Sequence, residues 1–586
     1  MSILNSTVDF LTDNSQFTFG SIDYIVFVIM LAISAAIGVY FGFFSQGADT
    51  TDEYLLGGKR MKTIPIAISL VASQLSGISI MTIPAEIYTF GINWFFNVLS
   101  IVWIVPILCW VIIPVFYNNN ISNCYEYLET RFNRKTRELV TFAFVATGFF
   151  MLPVFIFIPA LAFSQVTGIN IHLINGIVCS ICIFYTMFGG IKAVVWTDVV
   201  QAAVMVVSVT IVGIMGAVKV GGLGEVFRLA AEGHRLDVEL AFDATTRMTL
   251  WNSFLSSTIA WSTYVGLNQS CVQRIVSLPS LKHAKRSLII FGFGFLLIMF
   301  FNCFTGVVMF ARYHACDPLK LGIVEKGDKM MPFFVQDIAG HLKGMPGVFI
   351  SCVFSAALST MSASLNSMSG VVYFDYIKPY IRHTESRANY IMKAFVLITG
   401  AYCVLAGLVV EQFASILQMV YSVGGVSFGA VFGVFMMGMV VPRAHGKAAF
   451  WSVVVSMVTM LVIIIGSQGR VHYTPLPTSV EGCSALNIST SNDFSSIANG
   501  TLSLQHASQE VVENGKWTLN PFEISFNWYA VIGAAIVFIV GVPLSYICAP
   551  EKGAKFDPKL LSPIVKPFVK YELAHVEELP EMISKT

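Results

Sequence analysis

Three residues in the run MPGVFISCVFSAALSTMSASLNSMSG (345–370) have the spacing of a small cation site. Ala356, Ser359 and Thr360 recur at i, i+3 and i+4, so in a helix they lie one above another on a single face. A carbonyl and two hydroxyls are neutral oxygens. Hard cations take oxygen ligands, and a set without a carboxylate suits a monovalent ion better than calcium. Hydroxyls bonding back to their own helix, together with close helix packing, explain the same pattern, so this helix alone leaves both readings open. A second run, IPIAISLVASQLSGISIMTIPAEIY (64–88), gathers Ser69, Ser73, Gln74, Ser76, Gly77, Ser79 and Thr82. Ser69, Ser73 and Ser76 share one helical face, and Gly77 and Pro84 follow. Such a stretch suits a broken helix whose freed carbonyls line a cavity and equally a small-residue packing seam.

Two further runs carry polar groups at depth. In FGGIKAVVWTDVVQ (188–201), Asp198 and Gln201 lie about two turns inside an apolar stretch. An acid there is costly and is a functional candidate by default. It either draws a cation toward an exit or pairs with Lys192 or a base from a neighbouring loop. In WNSFLSSTIAWSTYVGLNQSCVQR (251–274), Trp261 and Tyr264 stand too deep for interfacial anchors and are expected to gate a passage or stack on a solute.

The elements that would position these groups follow from composition. Of 586 residues, 55% are hydrophobic and only 12% charged, roughly half the charge of a soluble domain. That much apolar surface requires lipid as solvent. Apolar runs of spanning length, about 20 residues each, occur near 22–44, 64–88, 94–117, 139–163, 170–188, 191–218, 251–275, 287–311, 346–372, 389–410, 412–441, 447–468 and 526–547. The expected fold is therefore all-α and polytopic, with about thirteen membrane helices. Gly189-Gly190 reads as a tight turn between the fifth and sixth runs.

With the N-terminus outside, most of the 35 Lys and Arg residues fall in inner segments, and the short outer turns carry none. This gives an extracellular segment 1–21, a membrane domain 22–548 and a cytoplasmic tail 549–586, which is assigned no role. Asn5, Asn487 and Asn499 open N-x-S/T triplets and fall outside in this arrangement, as glycosylation requires; those at Asn120 and Asn268 do not. The Ser/Asn/Thr-rich loop 469–525 reads as mobile and glycosylated. No cleaved signal peptide is expected. The stretch YEYLETRFNRKTR (125–137) reads as an interfacial helix on an anionic inner leaflet. Of the eleven cysteines, Cys179 and Cys182 read as lipid- or core-facing thiols. Cys316 and Cys483 share the outer side, but their spacing does not demand a bridge. A net charge of +1 gives no footprint for nucleic acid. No H-E-x-x-H, hydrolase elbow with a triad, or phosphate-binding glycine loop supports an enzyme.

Six motifs in order, EYLLGGKRM (53–61), SLVASQLSG (69–77), YEYLETRF (125–132), GGIKAVVWTDVVQ (189–201), NQSCVQR (268–274) and SAALSTMSASLN (355–366), resemble the sodium/solute symporter family, which includes the sodium–glucose carriers. The resemblance implies a core of two inverted five-helix repeats, here about 64–218 and 251–441. It implies a co-transported sodium ion held by the carbonyls of Ala72, Leu75 and Ala356 and the hydroxyls of Ser359 and Thr360. It makes Asp198 the acid near the inner exit and Tyr264 an inner gate. Ser73, Ser76, Ser79, Trp261 and Tyr264 become the candidate solute contacts. Ser79 and Trp261 depart from the glutamine and asparagine of sugar carriers, and IPAEIYTFG (83–91) is most similar to the monocarboxylate, multivitamin and iodide branch. The expected protein is a multi-pass plasma-membrane symporter importing a small organic anion, such as a monocarboxylate, with sodium. A carrier of a vitamin, iodide, choline, inositol or sugar, and a non-transporting sensor of the same fold, are the alternatives.

Overall fold

Backbone N–H and C=O groups inside a bilayer must find partners within the chain, and this chain meets that demand with helices. The structure, a computed structural model, describes residues 19–44, 57–121, 123–381, 384–410, 416–471, 473–485, 520–548 and 557–569. Among them there is no β-strand. Asn5, Asn487 and Asn499 lie outside the described residues.

Each apolar run of the sequence carries a helix or a broken helix. We number the membrane helices α1 (Ser21–Val39), α2 (Thr63–Gln74), α3 (Gly77–Phe90), α4 (Ile92–Asn118), α5 (Arg134–Thr167), α6 (Ile171–Val220), α7 (Leu250–Trp261), α8 (Gln269–Val276), α9 (Leu281–Tyr313), α10 (Met345–Val372), α11 (Glu385–Val410), α12 (Ile416–Val440), α13 (Gly446–Ser467) and α14 (Tyr529–Ile547). The 50 residues of α6 would reach roughly 75 Å, more than twice a bilayer core of about 30 Å. The helix breaks at Gly190, where φ is 53° and ψ is −155°. The glycine pair thus separates two spans, as its sequence suggested. Close packing adds to the constraint, because a Cβ on Gly189 would lie 2.2 Å from that of Ala193.

Several segments differ from their sequence reading. Two spans begin well before their apolar runs. Asn133 caps α5 by accepting from the Thr136 N–H at 2.9 Å, and Ser280 caps α9 in the same way. The stretch 125–137 is not a membrane-surface helix. Tyr125, Tyr127 and Leu128 are buried in protein, and Arg131 donates to the carbonyls of Gly438, Ala444, Val441 and Pro442 at 2.8–3.0 Å. One guanidinium thereby binds a carbonyl of the last turn of α12 and three of the turn that follows it. The loop 312–345 contains a fully buried helix, Met330–Ala339. Cys316 and Cys483 form a disulfide. Next to it, Asp317 accepts from the Tyr88 hydroxyl at 2.7 Å, which ties the loops at that end to α3. At the opposite end the chain's last described segment is docked. Asn119 donates to the Lys559 carbonyl at 3.1 Å, Tyr127 to that of Leu560 at 3.2 Å, and the Ser562 N–H to that of Met439 at 3.0 Å.

The Gly190 conformation is one that residues with a Cβ adopt only under strain of about 1–3 kcal/mol. Gly190→Ala should lower the thermal transition of the detergent-solubilised protein measurably. An unchanged transition would show that the α6 break is not conformationally required.

Candidate functional site

The site begins with the break between α2 and α3. Helix α2 stops at Gln74, Leu75 and Ser76 are extended, and α3 starts at Gly77 with the axis turned by 56°. The local sequence explains this. Ser76 caps α3 through its side chain, which accepts from the Ser79 N–H at 3.3 Å. Gly77 lets the backbone approach α10, since a Cβ there would meet the Val353 carbonyl at 3.2 Å. Breaking a helix inside protein leaves its last carbonyls without N–H partners.

Those carbonyls face the α10 hydroxyls. Ser359 Oγ lies 2.8 Å from the Ala72 carbonyl and 3.0 Å from that of Ala356. Thr360 Oγ1 lies 3.1 Å from the Ser73 carbonyl, 3.4 Å from that of Leu75 and 3.0 Å from that of Ala356. The structure therefore brings together all five residues singled out as cation ligands, every one buried. Two hydroxyl protons serve four carbonyl oxygens here, so acceptors outnumber donors. A desolvated cluster short of positive charge fits a small monovalent cation, with oxygen as the ligand type.

Beside this cluster lies a cavity of about 220 Å³. Ser76 and Ser79 of α3 line it, as do Trp261 and Tyr264. The latter pair sits at the second broken span, where α7 ends in a π-helical turn, Ser262–Gly266, before α8 begins at Gln269. Such turns often mark functional sites. Trp261 packs edge-on against Phe295 at 4.8 Å, and Tyr264 packs at a tilt against Phe428 at 5.9 Å. Ser73 does not line the cavity. Its hydroxyl bonds back to the Leu70 carbonyl at 3.1 Å, and it contributes to the oxygen cluster through its own carbonyl. Sequence reasoning missed the far wall, formed by Tyr421, Ser427 and Phe428 of α12 and by Phe526 and Tyr529 at the last span. Ser427 of that wall accepts from Thr147 at 3.0 Å. Among the described residues no lining side chain carries a formal charge.

Asp198 is fully buried but does not meet Lys192. It accepts from Ser69 Oγ at 2.7 Å and pairs with Arg274 of α8 at 3.2 Å. Arg274 also donates to the Ser69 carbonyl at 3.1 Å. The pair joins α6 to α8, both partners also hold Ser69 of α2, and Asp198 Oδ1 has no hydrogen-bond partner among the described residues.

The profile of the sodium:solute symporter family matches residues 54–456. The chain belongs to that family. It is 33% identical over 555 residues to sodium-coupled monocarboxylate transporter 2 of Mus musculus, covering 93% of this chain and 87% of the relative. It is 33% identical over 558 residues to sodium-coupled monocarboxylate transporter 1 of Homo sapiens (93% and 90%). It is also 33% identical over 563 residues to the sodium/iodide cotransporter of Homo sapiens (93% and 86%). The fold matches a Na+-coupled sialic acid symporter with a TM-score of 0.73 at 24% identity, over 91% of this chain and 99% of the other. The protein is thus a sodium-coupled solute symporter with an all-α, broken-helix transporter core, and sodium is its co-transported ion.

Removing one partner of a buried ion pair leaves an uncompensated charge and costs about 3–5 kcal/mol, whereas replacing both partners is far milder. Arg274→Met should therefore lower the melting temperature of the purified protein strongly, and Asp198→Asn/Arg274→Met should recover most of the loss. A double variant no more stable than Arg274→Met would show that the two groups are not energetically coupled.

Proposed function

We propose that this symporter imports a small organic anion of the monocarboxylate class, and that the buried oxygen cluster is its sodium site. The observation that carries the reading is the adjacency of that cluster to an uncharged, largely apolar cavity. Sodium is bound by the Ala72, Leu75 and Ala356 carbonyls and the Ser359 and Thr360 hydroxyls, and it joins α2 to α10 in place of their mutual hydrogen bonds. The solute occupies the space among Ser76, Ser79, Trp261 and Tyr264. Its carboxylate faces the N-terminal turn of α3, whose leading N–H groups have no partner within the helix and carry the positive end of the dipole. The Ser76 and Ser79 hydroxyls add donors, and Ile83, Met151, Leu152 and Met299 supply an apolar wall for a short acyl chain. The relatives named for monocarboxylates support this class.

Transport proceeds by alternating access between repeats at about 64–218 and 251–441. Tyr264 moves to open the inner side, and sodium leaves past Asp198. The membrane potential contributes about 2.3 kcal/mol per net charge per 100 mV. A halide is the second reading, favoured by the equal identity to the iodide relative and by a cavity without acidic side chains.

Uptake of labelled butyrate, lactate, pantothenate, biotin, iodide, choline, myo-inositol and glucose, each with and without sodium, separates these readings. Sodium-dependent butyrate or lactate uptake is expected. Iodide uptake alone would move the assignment to halides, and sodium current without uptake of any solute would indicate a sensor. Thr360→Ala removes one ligand and should raise the sodium concentration for half-maximal uptake several-fold, while Thr360→Ser restores it. A normal sodium dependence in Thr360→Ala would place the ion elsewhere.

In our reading the protein lies in the plasma membrane with its N-terminus and the loop 469–525 outside and its tail, 549–586, in the cytoplasm. The disulfide end of the bundle is then the extracellular one, as an oxidising compartment favours. Asn5, Asn487 and Asn499 are the glycan acceptors. Peptide-N-glycosidase should raise the gel mobility of the cell-surface protein, and Gln at all three positions should abolish that shift. A shift that persists would contradict the assigned acceptors.

A further inference from the structure

Glu86 stands on the cavity-facing stripe of α3. Ser79, Thr82 and Ile83 line the cavity, and Glu86 continues their i, i+3, i+4, i+7 series one turn nearer the disulfide end. It is nearly inaccessible to solvent and accepts two hydrogen bonds from Arg247, Nε to Oε1 at 2.7 Å and Nη2 to Oε2 at 2.8 Å. The Arg247 guanidinium is surrounded by rings, with Phe90 at 4.1 Å, Tyr473 at 4.8 Å and Phe526 at 5.1 Å. Phe526 is itself a cavity wall, and its ring packs on Tyr421, another wall residue, at 5.1 Å. Behind the pair, Ser525 donates to the Arg247 carbonyl at 2.7 Å, fixing the approach to α7 against the start of α14. A two-pronged pair shielded from water is short in range and strong, and a ring of aromatic faces strengthens it further.

From this arrangement we infer that Glu86 and Arg247 are gating residues of the transport cycle, forming a polar bolt across the cavity's extracellular mouth. The pair joins α3, which belongs to one broken span, to the segment leading into α7, which belongs to the other. Solute entering from the disulfide end must separate these two segments, and the only charged contact between them along the cavity stripe is this one among the described residues. Breaking it exposes an aromatic-lined mouth, and remaking it seals the solute in. Because each charge needs the other when water is excluded, the pair has two stable conditions: closed and dry, or open and hydrated.

The test uses the full-length protein in intact cells. A cysteine at the cavity wall, Ser79→Cys, reports access to a membrane-impermeant, permanently charged methanethiosulfonate added outside in sodium-free medium. Adding Glu86→Gln or Arg247→Gln should speed its labelling, per molecule at the surface, by about tenfold, the effect of biasing the opening by a fraction of a buried pair's strength. The exchanged pair Glu86→Arg/Arg247→Glu should return the rate toward that of Ser79→Cys alone. Equal labelling rates in all four proteins would overturn the inference. Glu86→Gln keeps the shape of the side chain, so its rate decides the matter even where Arg247→Gln fails to reach the surface. Labelled butyrate uptake adds a second readout in proteins without the reporter cysteine. A bolt that no longer closes lowers the maximal rate per surface molecule, whereas a purely structural staple lowers only the amount at the surface. That arm rests on the proposed solute class. If the unaltered protein takes up no butyrate, the solute reading fails while labelling still decides the gate.

Discussion

The backbone of α2 ends in the middle of the protein, and everything nearby answers to the carbonyls it leaves behind. In water such an end would be solvated. Here Ala72 and Leu75 are wholly buried, so their oxygens must be satisfied by another part of the chain or by an ion. Ser359 and Thr360 meet the need only in part, because each hydroxyl has one proton to offer several acceptors. A helix break is thus tolerable because α10 lies against it, and α10 can spare those hydroxyls because they also reach back to Ala356. That incompleteness is the ground on which we propose the cluster as the sodium site.

Charge is handled by the same rule at larger scale. Several buried ionic groups among the described residues are held in pairs or by backbone carbonyls. Arg131 closes the end of α12 through four carbonyls, Asp198 and Arg274 join α6 to α8 and both hold Ser69 of α2, and Asp337 takes both Arg312 and Tyr313. The cavity wall, in contrast, is left without formal charge. A solute in this cavity would meet dipoles and rings, and the anion we propose would have its charge balanced by a helix end and by the ion travelling with it.

The sequence exposed the parts of this design that depend on residue type at short range. Hydroxyl residues at helical spacing, beside a glycine in the 64–88 run, drew attention to both halves of the oxygen cluster, and one glycine doublet marked the α6 break. Hydropathy gave the spans almost completely. Contacts between distant segments were not legible. Nothing in the run around Tyr421 or Phe526 announces a cavity wall, because an aromatic residue in an apolar helix reads the same whether it faces lipid, core or solute. Arg131 looked like a membrane-surface base because its four acceptors lie some three hundred residues away. Asp198 stands out in the sequence, but Arg274 could not be named as its partner over Lys192 or another base, since proximity along the chain is the only proximity a sequence displays.

The segment 557–569 joins parts of the molecule that belong to different helices. Its backbone is held at once by Asn119 at the end of α4, by Tyr127 in the short helix Glu126–Arg131, and by the Met439 carbonyl at the end of α12. Three anchors on a single short stretch work like a taut guy-line. If α12 and α4 shift relative to one another as the carrier turns over, the stretch must slacken, slide or let go. A working stroke that moved those helices would thus be transmitted to this stretch.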